Sequence, residues 1–261
     1  MQSRPLILLS NDDGFRAPGL DCLRRALDRV ADVVVCAPHS EQSASSHAIS
    51  LTTPLRLREH DRGFFSVDGT PADCVYVALC AQGRVLPRRP DMVLSGINDG
   101  LNLAADVFYS GTVAAAREGA LRGLRGLALS AGPGVDLEGA AACSVKLALA
   151  FLSEPLPSPD AGVLLNVNFP PGSSWVVRAT RLGSRRYEEI ADFRRDPRGA
   201  EYLWLGGSRV VHGEAAGSDT EAYDAGVVGV TPLSLEMWES GQAPMAERIA
   251  VSALAMLPIE R

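Results

Sequence analysis

Two adjacent carboxylates, Asp12 and Asp13, follow the first apolar run of the 261-residue chain. That run, Leu6 to Leu9, is short and is bounded by polar turn formers, which predicts a buried strand. Ligand sites of open α/β sheets lie beyond the carboxyl ends of the strands, so the pair lies where a site is expected. Neighbouring carboxylates repel each other, and a bound cation offsets that repulsion. We therefore predict that Asp12 and Asp13 bind a hard divalent metal ion.

The same residues also suit an ordinary turn. Asn11 and Asp12 belong to the residue types that favour turns, and an aspartate often caps the helix that follows. Gly14 permits a sharp change of direction, which a metal loop and a simple turn both use. A four-residue motif does not separate these two interpretations, so the decision depends on the other polar loops of the chain.

A serine-rich loop follows the second predicted strand. Residues 20–30 have helical spacing and residues 32–36 predict a second strand, so strand, helix and strand predict a βαβ unit with a parallel sheet. Residues 39–47 then read HSEQSASSH. A hydroxyl oxygen such as that of Ser43 suits a magnesium-like ion. For any single serine of this loop, a solvated surface position is the alternative interpretation.

A third polar loop follows the apolar residues 92–94. Residues 95–103 read SGINDGLNL and place small polar side chains, among them Asn98 and Asn102, after another predicted strand. Amide oxygens are further hard ligands for a divalent ion. This loop therefore adds candidate ligands from a third strand end.

The alanine-rich run that begins near residue 112 predicts a helix with a small polar cap. The residues of the cap are Ser110, Gly111 and Thr112. The first turn of a helix exposes free backbone N–H groups, and phosphate is a common ligand there. Such a cap also occurs without any ligand. Together, the three loops and the helix end provide hard metal ligands beside an anion site, which indicates hydrolysis of phosphate esters.

The remaining elements complete an α/β pattern. Thr70, Pro71 and Asp73 form a strong start signal for a helix over residues 74–80. Other segments predict a hairpin or edge strands at 51–58 and 64–67, strands at 127–130, 163–167 and 227–231, and helices at 137–152 and 243–257. The alternation of strands and helices predicts one α/β domain with a mostly parallel sheet.

Composition limits the class of protein. Hydrophobic residues make up 46% of the chain and charged residues 21%, which is typical of a globular domain. The formal net charge of −6 argues against binding to duplex DNA or RNA. The five cysteines contain no C-x-x-C pair and indicate core residues in a reducing compartment. No apolar run reaches the ~18 residues of a membrane helix, so we expect a cytoplasmic protein without membrane contact.

Residues 184–212 differ from the rest of the chain. Charges are dense in this stretch and alternate with aromatic residues: Tyr187, Phe193, Tyr202 and Trp204. We interpret the stretch as an arm that docks on another subunit, because exposed aromatic residues favour interfaces. A solvated excursion is the alternative.

Taken in order, several motifs resemble those of the survival protein E (SurE) family. They are NDDG, APGL, AP followed a few residues later by Gln-Ser, GTPADCV, SGIN-x-G-x-N, YSGTVAAA-x-EG, NVNFP and TPL, and they run from Ile7 to Leu233. The resemblance implies a metal-dependent phosphomonoesterase that hydrolyses nucleoside monophosphates, with 5'-nucleotidase activity and, as further expectations, 3'-nucleotidase and exopolyphosphatase activity. It also implies a Rossmann-like three-layer sandwich with a mostly parallel sheet, a projecting β-hairpin arm and a C-terminal helix.

The resemblance assigns roles to residues of this chain. Its metal ligands correspond to Asp12, Asp13, Ser43 and Asn98, which we expect to bind one Mg²⁺ or Mn²⁺ ion. Its phosphate-binding residues correspond to Asn102, Ser110, Gly111 and Thr112. Asp12 is our candidate for the catalytic carboxylate that assists the attacking water. We expect one domain over residues 1–261 that forms a homodimer or homotetramer, with 184–212 as the oligomerisation hairpin and 234–261 as a C-terminal segment.

A few positions depart from the family pattern. Ala44 stands where a glycine often follows the ligand serine, and Gly229 replaces a usual serine before the TPL motif. Asp99 adds a carboxylate directly after Asn98, which predicts an effect on substrate preference or metal affinity. Asp219 matches the family's late aspartate, although Ser218 precedes it instead of a threonine.

Two other classes also carry acidic residues after the first strand. A receiver-type phosphorylatable signalling domain requires a lysine at a late strand end, but the single lysine, Lys146, falls within a predicted helix. An aspartyl-phosphate phosphatase requires Asp-x-Asp followed by Thr, whereas this chain has Asp-Asp followed by Gly. Both remain as alternatives to a nucleotidase.

Overall fold

The computed structural model describes residues 4–81, 83–158, 161–188, 190–206, 209–213 and 215–256 of the chain. Its strands are, in chain order, β1 (Leu6–Ser10), β2 (Asp32–Pro38), β3 (Leu57–Asp61), β4 (Phe64–Val67), β5 (Met92–Asp99), β6 (Arg125–Ala131), β7 (Val163–Phe169), β8 (Val177–Ala179), β9 (Arg185–Tyr187), β10 (Ala191–Arg195), β11 (Glu201–Leu205), β12 (Val210–His212) and β13 (Val228–Leu233). Its helices are α1 (Pro18–Leu27), α2 (Pro71–Cys80), α3 (Gly111–Leu121), α4 (Leu137–Ser153), α5 (Asp219–Asp224) and α6 (Ala243–Met256), with short 3₁₀ helices at Ala104–Phe108 and Ser240–Gln242.

A nine-stranded sheet carries the fold, in the order β3-β4-β2-β1-β5-β6-β7-β13-β8. The strands from β4 to β7 in this order run parallel. At the edges, β3 is antiparallel to β4, β13 is antiparallel to β7, and β8 is parallel to β13. The chain passes from β1 to β2 on one side and later returns to β5 on the other side of β1. The strand order therefore reverses between β1 and β5, where a ligand crevice forms in sheets of this kind. The predicted, mostly parallel α/β sheet is confirmed.

Helices cover both faces of this sheet. Successive side chains of a strand point to opposite faces, so Leu9 and Leu8 belong to two different cores. Leu9 packs with Leu23 of α1 in a cluster that also includes residues of α4. Leu8 packs with Val75 of α2 in a cluster that includes a residue of α3. The expected three-layer sandwich is therefore present.

Two helix starts show how local sequence sets the boundaries. The Thr70 Oγ1 atom accepts a hydrogen bond from the Asp73 N–H at 3.1 Å, and Asp73 Oδ2 accepts one from the Thr70 N–H at 2.9 Å, which confirms the predicted start of α2. Helix α1 begins at Pro18, earlier than the predicted residue 20, because proline fits the first turn of a helix. It also ends at Leu27, before residue 30, and a turn then leads into β2.

The largest difference from the sequence prediction concerns β5. We predicted a strand over residues 92–94 followed by a loop, but β5 continues to Asp99. Ser95 is fully buried and pairs with Ser10 of β1 and Ala128 of β6. Hydrogen bonds from both neighbouring strands hold the backbone in an extended conformation here. The strand therefore continues through small polar residues, whereas a prediction based on apolar runs stops at residue 94. The short elements β8, α5 and the 3₁₀ helix after residue 103 were not predicted, because each is too short to show periodicity.

Residues 185–212 leave the main sheet as two separate strand pairs. β9 pairs with β12 and β10 pairs with β11, both antiparallel. On the outer pair, Phe193 is 62% exposed and Trp204 is 61% exposed. The expected projecting hairpin is therefore present with aromatic side chains at its surface. Its role between subunits and the proposed domain boundaries stay predictions.

Helix α6 occupies most of the predicted C-terminal helix. The described helix ends at Met256, so Leu257 of the predicted range and the last residues of the 234–261 segment lie outside the described residues. None of the helices that the structure describes is long and apolar enough to cross a membrane.

Candidate active site

The loops after β1 and β5 meet at the reversal of the strand order. Asp12 and Asp13 follow β1 directly, while Asn98 and Asp99 end β5. The Asp99 backbone N–H donates a hydrogen bond to Asp13 Oδ2 at 3.1 Å, which joins the two loops. The fold therefore brings together candidate residues that are more than eighty positions apart in the sequence.

Asp12 is held from several directions. Its side chain is only 4% exposed, and Oδ1 accepts a hydrogen bond from the Thr112 hydroxyl group at the start of α3. Its carbonyl oxygen accepts the Gln42 N–H at 2.8 Å, which ties the serine-rich loop to the end of β1. Gly14 adopts a φ of +97°, a conformation that favours glycine, and its carbonyl oxygen accepts the Asn11 side-chain amide at 2.9 Å. The carboxylate is therefore fixed before any ligand binds.

Burial and mutual repulsion make ionisation of the carboxylate pair unfavourable, which is the setting in which a bound cation stabilises charge. Burial raises the pKa of Asp12, although hydrogen bonds from Thr112 oppose the shift. Burial, followed by repulsion from Asp12, raises the pKa of Asp13 to about 6. Asp99 and Glu41 also repel the Asp13 carboxylate. No lysine or arginine is among the described residues that line the two adjoining cavities. A divalent cation would reverse these shifts.

The serine-rich loop presents Ser43 at the same place. The Ser43 hydroxyl group donates a hydrogen bond to Glu41 Oε1 at 2.8 Å, which leaves lone pairs of its oxygen free for a ligand. The far end of the loop is attached to α3, because His47 Nε2 lies 3.0 Å from Glu118 Oε2. Ser46 also donates to the Phe108 carbonyl oxygen at 2.6 Å. These two contacts fix the far end of the loop, the Gln42 N–H fixes its near end to Asp12, and Ser43 lies between them.

The side chain of Asn98 is oriented by a hydrogen bond within its own loop. Its Nδ2 group donates a hydrogen bond to the Gly100 carbonyl oxygen at 2.9 Å, so Oδ1 is the atom left to accept or coordinate. Among the described residues, no group of three or more His, Cys, Asp or Glu side chains is arranged to hold a metal. A metal bound by Asp12 and Asp13 therefore has to complete its shell with other oxygens, as Ser43 and Asn98 offer. This oxygen-only donor set fits Mg²⁺ or Mn²⁺.

The start of α3 lies directly against Asp12. Ser110 is the N-cap residue, and its oxygen accepts the Val113 N–H at 3.0 Å, so its hydroxyl hydrogen remains able to donate. A Cβ atom on Gly111 would lie 2.9 Å from the Cβ of Asp12, so only glycine permits this approach. The first turn of α3 therefore lies beside Asp12, and both the hydroxyl group and the backbone N–H of Thr112 bond to that carboxylate.

Asn102 lines the smaller of the two cavities beside the site and also holds the loop that follows β5 in place. Its Nδ2 group donates to Ser130 Oγ at 2.7 Å, and its backbone N–H donates to Asn168 Oδ1 at 2.8 Å. Its carbonyl oxygen accepts the side-chain amides of Asn166 and Asn168. The two buried asparagines of β7 thus fix the loop that follows β5. Sequence reasoning noted these asparagines as part of a motif and missed this role, although polar residues alternating within an apolar strand were the available signal.

Two cavities flank the carboxylate pair. One, of about 310 Å³, is lined by Asp12, Ser43, Ala44, Asn98, Asp99, Leu101, Asn102, Asp106, Tyr109, Ser110 and Tyr187. The other, of about 480 Å³, has Asp13 in its wall and shares Ser43, Asn98 and Asp99 with the first. Five of the eight candidate residues line the smaller cavity, Asp13 lines the larger one, and Gly111 and Thr112 contact Asp12 from behind.

Sequence reasoning missed a second cluster in the wall of the smaller cavity. Asp106 Oδ2 lies 2.9 Å from Arg185 Nη1, and Asp106 Oδ1 accepts a hydrogen bond from the Tyr187 hydroxyl group at 2.8 Å. The two partners belong to β9, at the base of the arm. Asp219, which is buried, accepts hydrogen bonds from the N–H groups of Ala104 and Gly183 and so connects the same regions. No local sequence signal links residues so far apart.

Comparisons with known proteins identify relatives over almost the whole chain. A family model described as "Survival protein SurE" matches residues 7–189. A protein of Sorangium cellulosum named "5'-nucleotidase SurE" is 62% identical over 252 residues, which cover 95% of this chain and 96% of that protein. A protein of the same name from Myxococcus xanthus is 45% identical over 251 residues, covering 94% and 93%.

A solved structure has the same fold. The crystal structure of the SurE protein from Aquifex aeolicus superposes with a TM-score of 0.79 at 36% sequence identity. The match covers 94% of this chain and 100% of that one. The sheet and the helices on its two faces are therefore those of a known architecture.

Proposed function

Because the chain belongs to the SurE family, we propose that it is a metal-dependent 5'-nucleotidase, which hydrolyses a nucleoside 5'-monophosphate to the nucleoside and phosphate. The observation that carries the proposal is the smaller cavity at the strand-order reversal. Asp12, Ser43 and Asn98 line it together with Ser110 of the helix cap. Hard ligands and an anion-binding helix end within one cavity are what hydrolysis of a phosphate ester requires.

One Mg²⁺ or Mn²⁺ ion would be held by the side-chain oxygens of Asp12, Asp13, Ser43 and Asn98. When bound, such an ion supplies positive charge for phosphoryl oxygens and lowers the pKa of water. The two carboxylates are in place beforehand, since Thr112 and the Asp99 backbone N–H hold them. The choice of Mg²⁺ or Mn²⁺ is part of this proposal, and the oxygen-only ligand set supports that choice.

The chain's own groups would position the ester and assist the attack. The hydroxyl group of Ser110 and the N–H group of Gly111 would donate hydrogen bonds to phosphoryl oxygens. Thr112, whose hydroxyl and N–H groups both bond to Asp12, would hold that carboxylate beside the phosphate, and Asn102 would support the site from the loop after β5. Asp12 would accept the proton of the attacking water, because its carboxylate lines the cavity and one oxygen is fixed by Thr112. No arginine takes part among the described lining residues, so neutralisation of the phosphate depends on the metal and the helix end.

The direct test is phosphate release from AMP with Mg²⁺ or Mn²⁺, with and without EDTA. The Asp12→Asn variant, which keeps the size of the side chain, is expected to lower kcat/KM by about 100-fold or more, since it removes a proton acceptor and a negative ligand. Asp21→Asn on the exposed face of α1 is the matched control and should change kcat/KM by less than about twofold. Near-wild-type activity of Asp12→Asn with Mn²⁺, or activity that survives chelation, would contradict the proposal.

The phosphorylatable alternatives are not favoured. Lys146 lies on the exposed side of α4, away from the strand ends, so the lysine that a receiver-type domain requires is not available at the site. Trapping with beryllofluoride separates the mechanisms: a stable adduct on an aspartate would support an acyl-phosphate route over direct attack by water.

We extend the proposal to assembly and compartment. The exposed aromatic residues of β10 and β11 support a homodimer or homotetramer formed through the arm. The five cysteines are unpaired, which supports a reducing compartment such as the cytoplasm.

A further inference from the structure

One wall of the smaller cavity consists of groups that neither bind metal nor contact phosphate in the proposed reaction. Leu101, Tyr109 and Tyr187 line this cavity together with the ligand set. Tyr109 is 67% exposed and Tyr187 is 47% exposed, so part of each side chain is open to solvent. Two aromatic side chains beside a phosphate site offer a flat apolar surface to the remainder of a phosphate ester.

Tyr187 is the aromatic residue whose position is fixed. Its hydroxyl group donates a hydrogen bond to Asp106 Oδ1 at 2.8 Å. The Arg185 guanidinium group lies over its ring, 5.2 Å from the centroid, and is itself paired with Asp106 at 2.9 Å. One face and the hydroxyl end of the ring are therefore occupied, and the opposite face is the part left for a ligand. Burial raises the pKa of Tyr187 to about 12, so its hydroxyl group remains a donor at any working pH.

We propose that Tyr187 binds the base of the nucleotide by stacking. Its ring, which Asp106 and Arg185 hold in place, makes the enzyme prefer phosphate esters that carry a base. This inference rests on the proposed nucleotidase function and adds a substrate-binding residue to it. The cavity volume of about 310 Å³ lies at the small end of the range of ligand pockets and suits one mononucleotide.

Stacking also predicts how selective the site is. Every base has a π-face, so a tyrosine ring accepts purines and pyrimidines alike and discriminates chiefly against esters that lack a base. Tyr187 belongs to β9, which pairs with β12 at the base of the arm. The arm therefore contributes a substrate contact in addition to the exposed surface at its tip.

The experiment compares AMP with ribose 5-phosphate, which has the same phosphate ester and sugar but no base. In Tyr187→Leu, the ratio of kcat/KM for AMP to kcat/KM for ribose 5-phosphate is expected to fall about tenfold, because the aromatic face is lost. Tyr187→Phe keeps that face and should retain the ratio within about threefold. Melting temperatures establish that each variant is folded.

Tyr76→Leu is the matched control. Tyr76 lies on α2 with the Arg122 guanidinium group 4.4 Å from its ring centroid, which is the same pairing as that of Tyr187 and Arg185, but it lines neither cavity. Its replacement should leave the AMP to ribose 5-phosphate ratio at the wild-type value. An equal fall in this control would overturn the inference.

A wild-type measurement covers the case in which Tyr187→Leu does not fold. Adenosine should inhibit hydrolysis of ribose 5-phosphate with an inhibition constant at least about tenfold lower than that of ribose. Equal constants, or an unchanged substrate ratio in a folded Tyr187→Leu variant, would overturn the role of Tyr187 while leaving the nucleotidase proposal in place. Failure of the wild-type protein to hydrolyse either ester with any metal would overturn both.

Discussion

Two groups of carboxylates lie around the two cavities of the site, and their charges are compensated in different ways. Asp12 and Asp13 have hydrogen-bond donors but no cationic side chain among the described residues around the cavities. Asp106 has a cation of the chain itself, because Arg185 lies 2.9 Å away. Buried charge is tolerated only when it is compensated. We therefore expect the first group to bind a cation, whereas Arg185 of the chain itself compensates the charge of the second.

The two groups of carboxylates have different proposed roles: the first serves the reaction and the second serves substrate recognition. The carboxylate pair lies at the end of a fully buried central strand, and the loops after β2 and β5 and the start of α3 all bond to it. The Asp106 cluster instead joins a 3₁₀ helix to a short strand at the base of the arm. The proposed reacting groups thus lie at the end of a fully buried strand, and the proposed base contact comes from the base of the arm.

The largest effect is expected from crowding the carboxylate pair. Gly111→Ala would place a Cβ atom 2.9 Å from the Cβ of Asp12 and 2.9 Å from the Cγ of Pro71. Alanine ordinarily stabilises a helix relative to glycine, so any loss must come from displacement of the site. A shift of about 1 Å in catalytic geometry lowers activity by about 100-fold. We expect a loss of that size in kcat/KM for AMP.

Gly139→Ala is the control for this variant. Gly139 lies in the first turn of α4, behind the capping residue Asp136, and its Cβ atom would lie 2.6 Å from the Ser173 carbonyl oxygen. It therefore introduces similar crowding at another helix start, and kcat/KM should stay within about threefold of wild type while the melting temperature falls. Equal activity of the two variants would show that α3 does not position Asp12.

The contrast between the two groups also shows what sequence could predict. Asp12, Ser43 and Asn98 each follow or end a strand that its apolar run reveals, so their convergence was predictable from parallel topology. Asp106 and Tyr187 gave no such signal, because the contact between them depends on where the arm returns to the core. The end of β5 was missed for a related reason: the bonds that extend it come from β1 and β6, not from its own residues.

A moderate effect is expected from metal on stability, and it should depend on pH. The pKa of Asp13 is raised to about 6 in the folded state, above the unfolded value near 3.8, so the metal-free protein loses stability as the pH rises from about 4 through about 6. Mn²⁺ requires the ionised carboxylates and removes their repulsion. At about 100 times its dissociation constant it should raise the melting temperature by roughly 5 to 10 °C at pH 7.5.

The pH series provides the control for this measurement. At pH 5 the same Mn²⁺ concentration should give a clearly smaller increase, because protons compete for Asp13. In Asp13→Asn the dependence on metal should be weak at both pH values. An equal increase at pH 5 and pH 7.5 in the wild-type protein would contradict a site built on this carboxylate pair.

The smallest effect is expected at the cluster of Asp106, Arg185 and Tyr187. Asp106→Asn keeps an oxygen that accepts the Tyr187 hydroxyl group but removes the charge opposite Arg185. The ring should lose part of its fixation, so the ratio of kcat/KM for AMP to that for ribose 5-phosphate should fall by about threefold, less than when the ring is removed. The Mn²⁺-dependent increase in melting temperature should match that of the wild-type protein, because the carboxylate pair is untouched. A variant that lost the metal effect instead would show that the two groups act as one site, and the division between chemistry and recognition would fail.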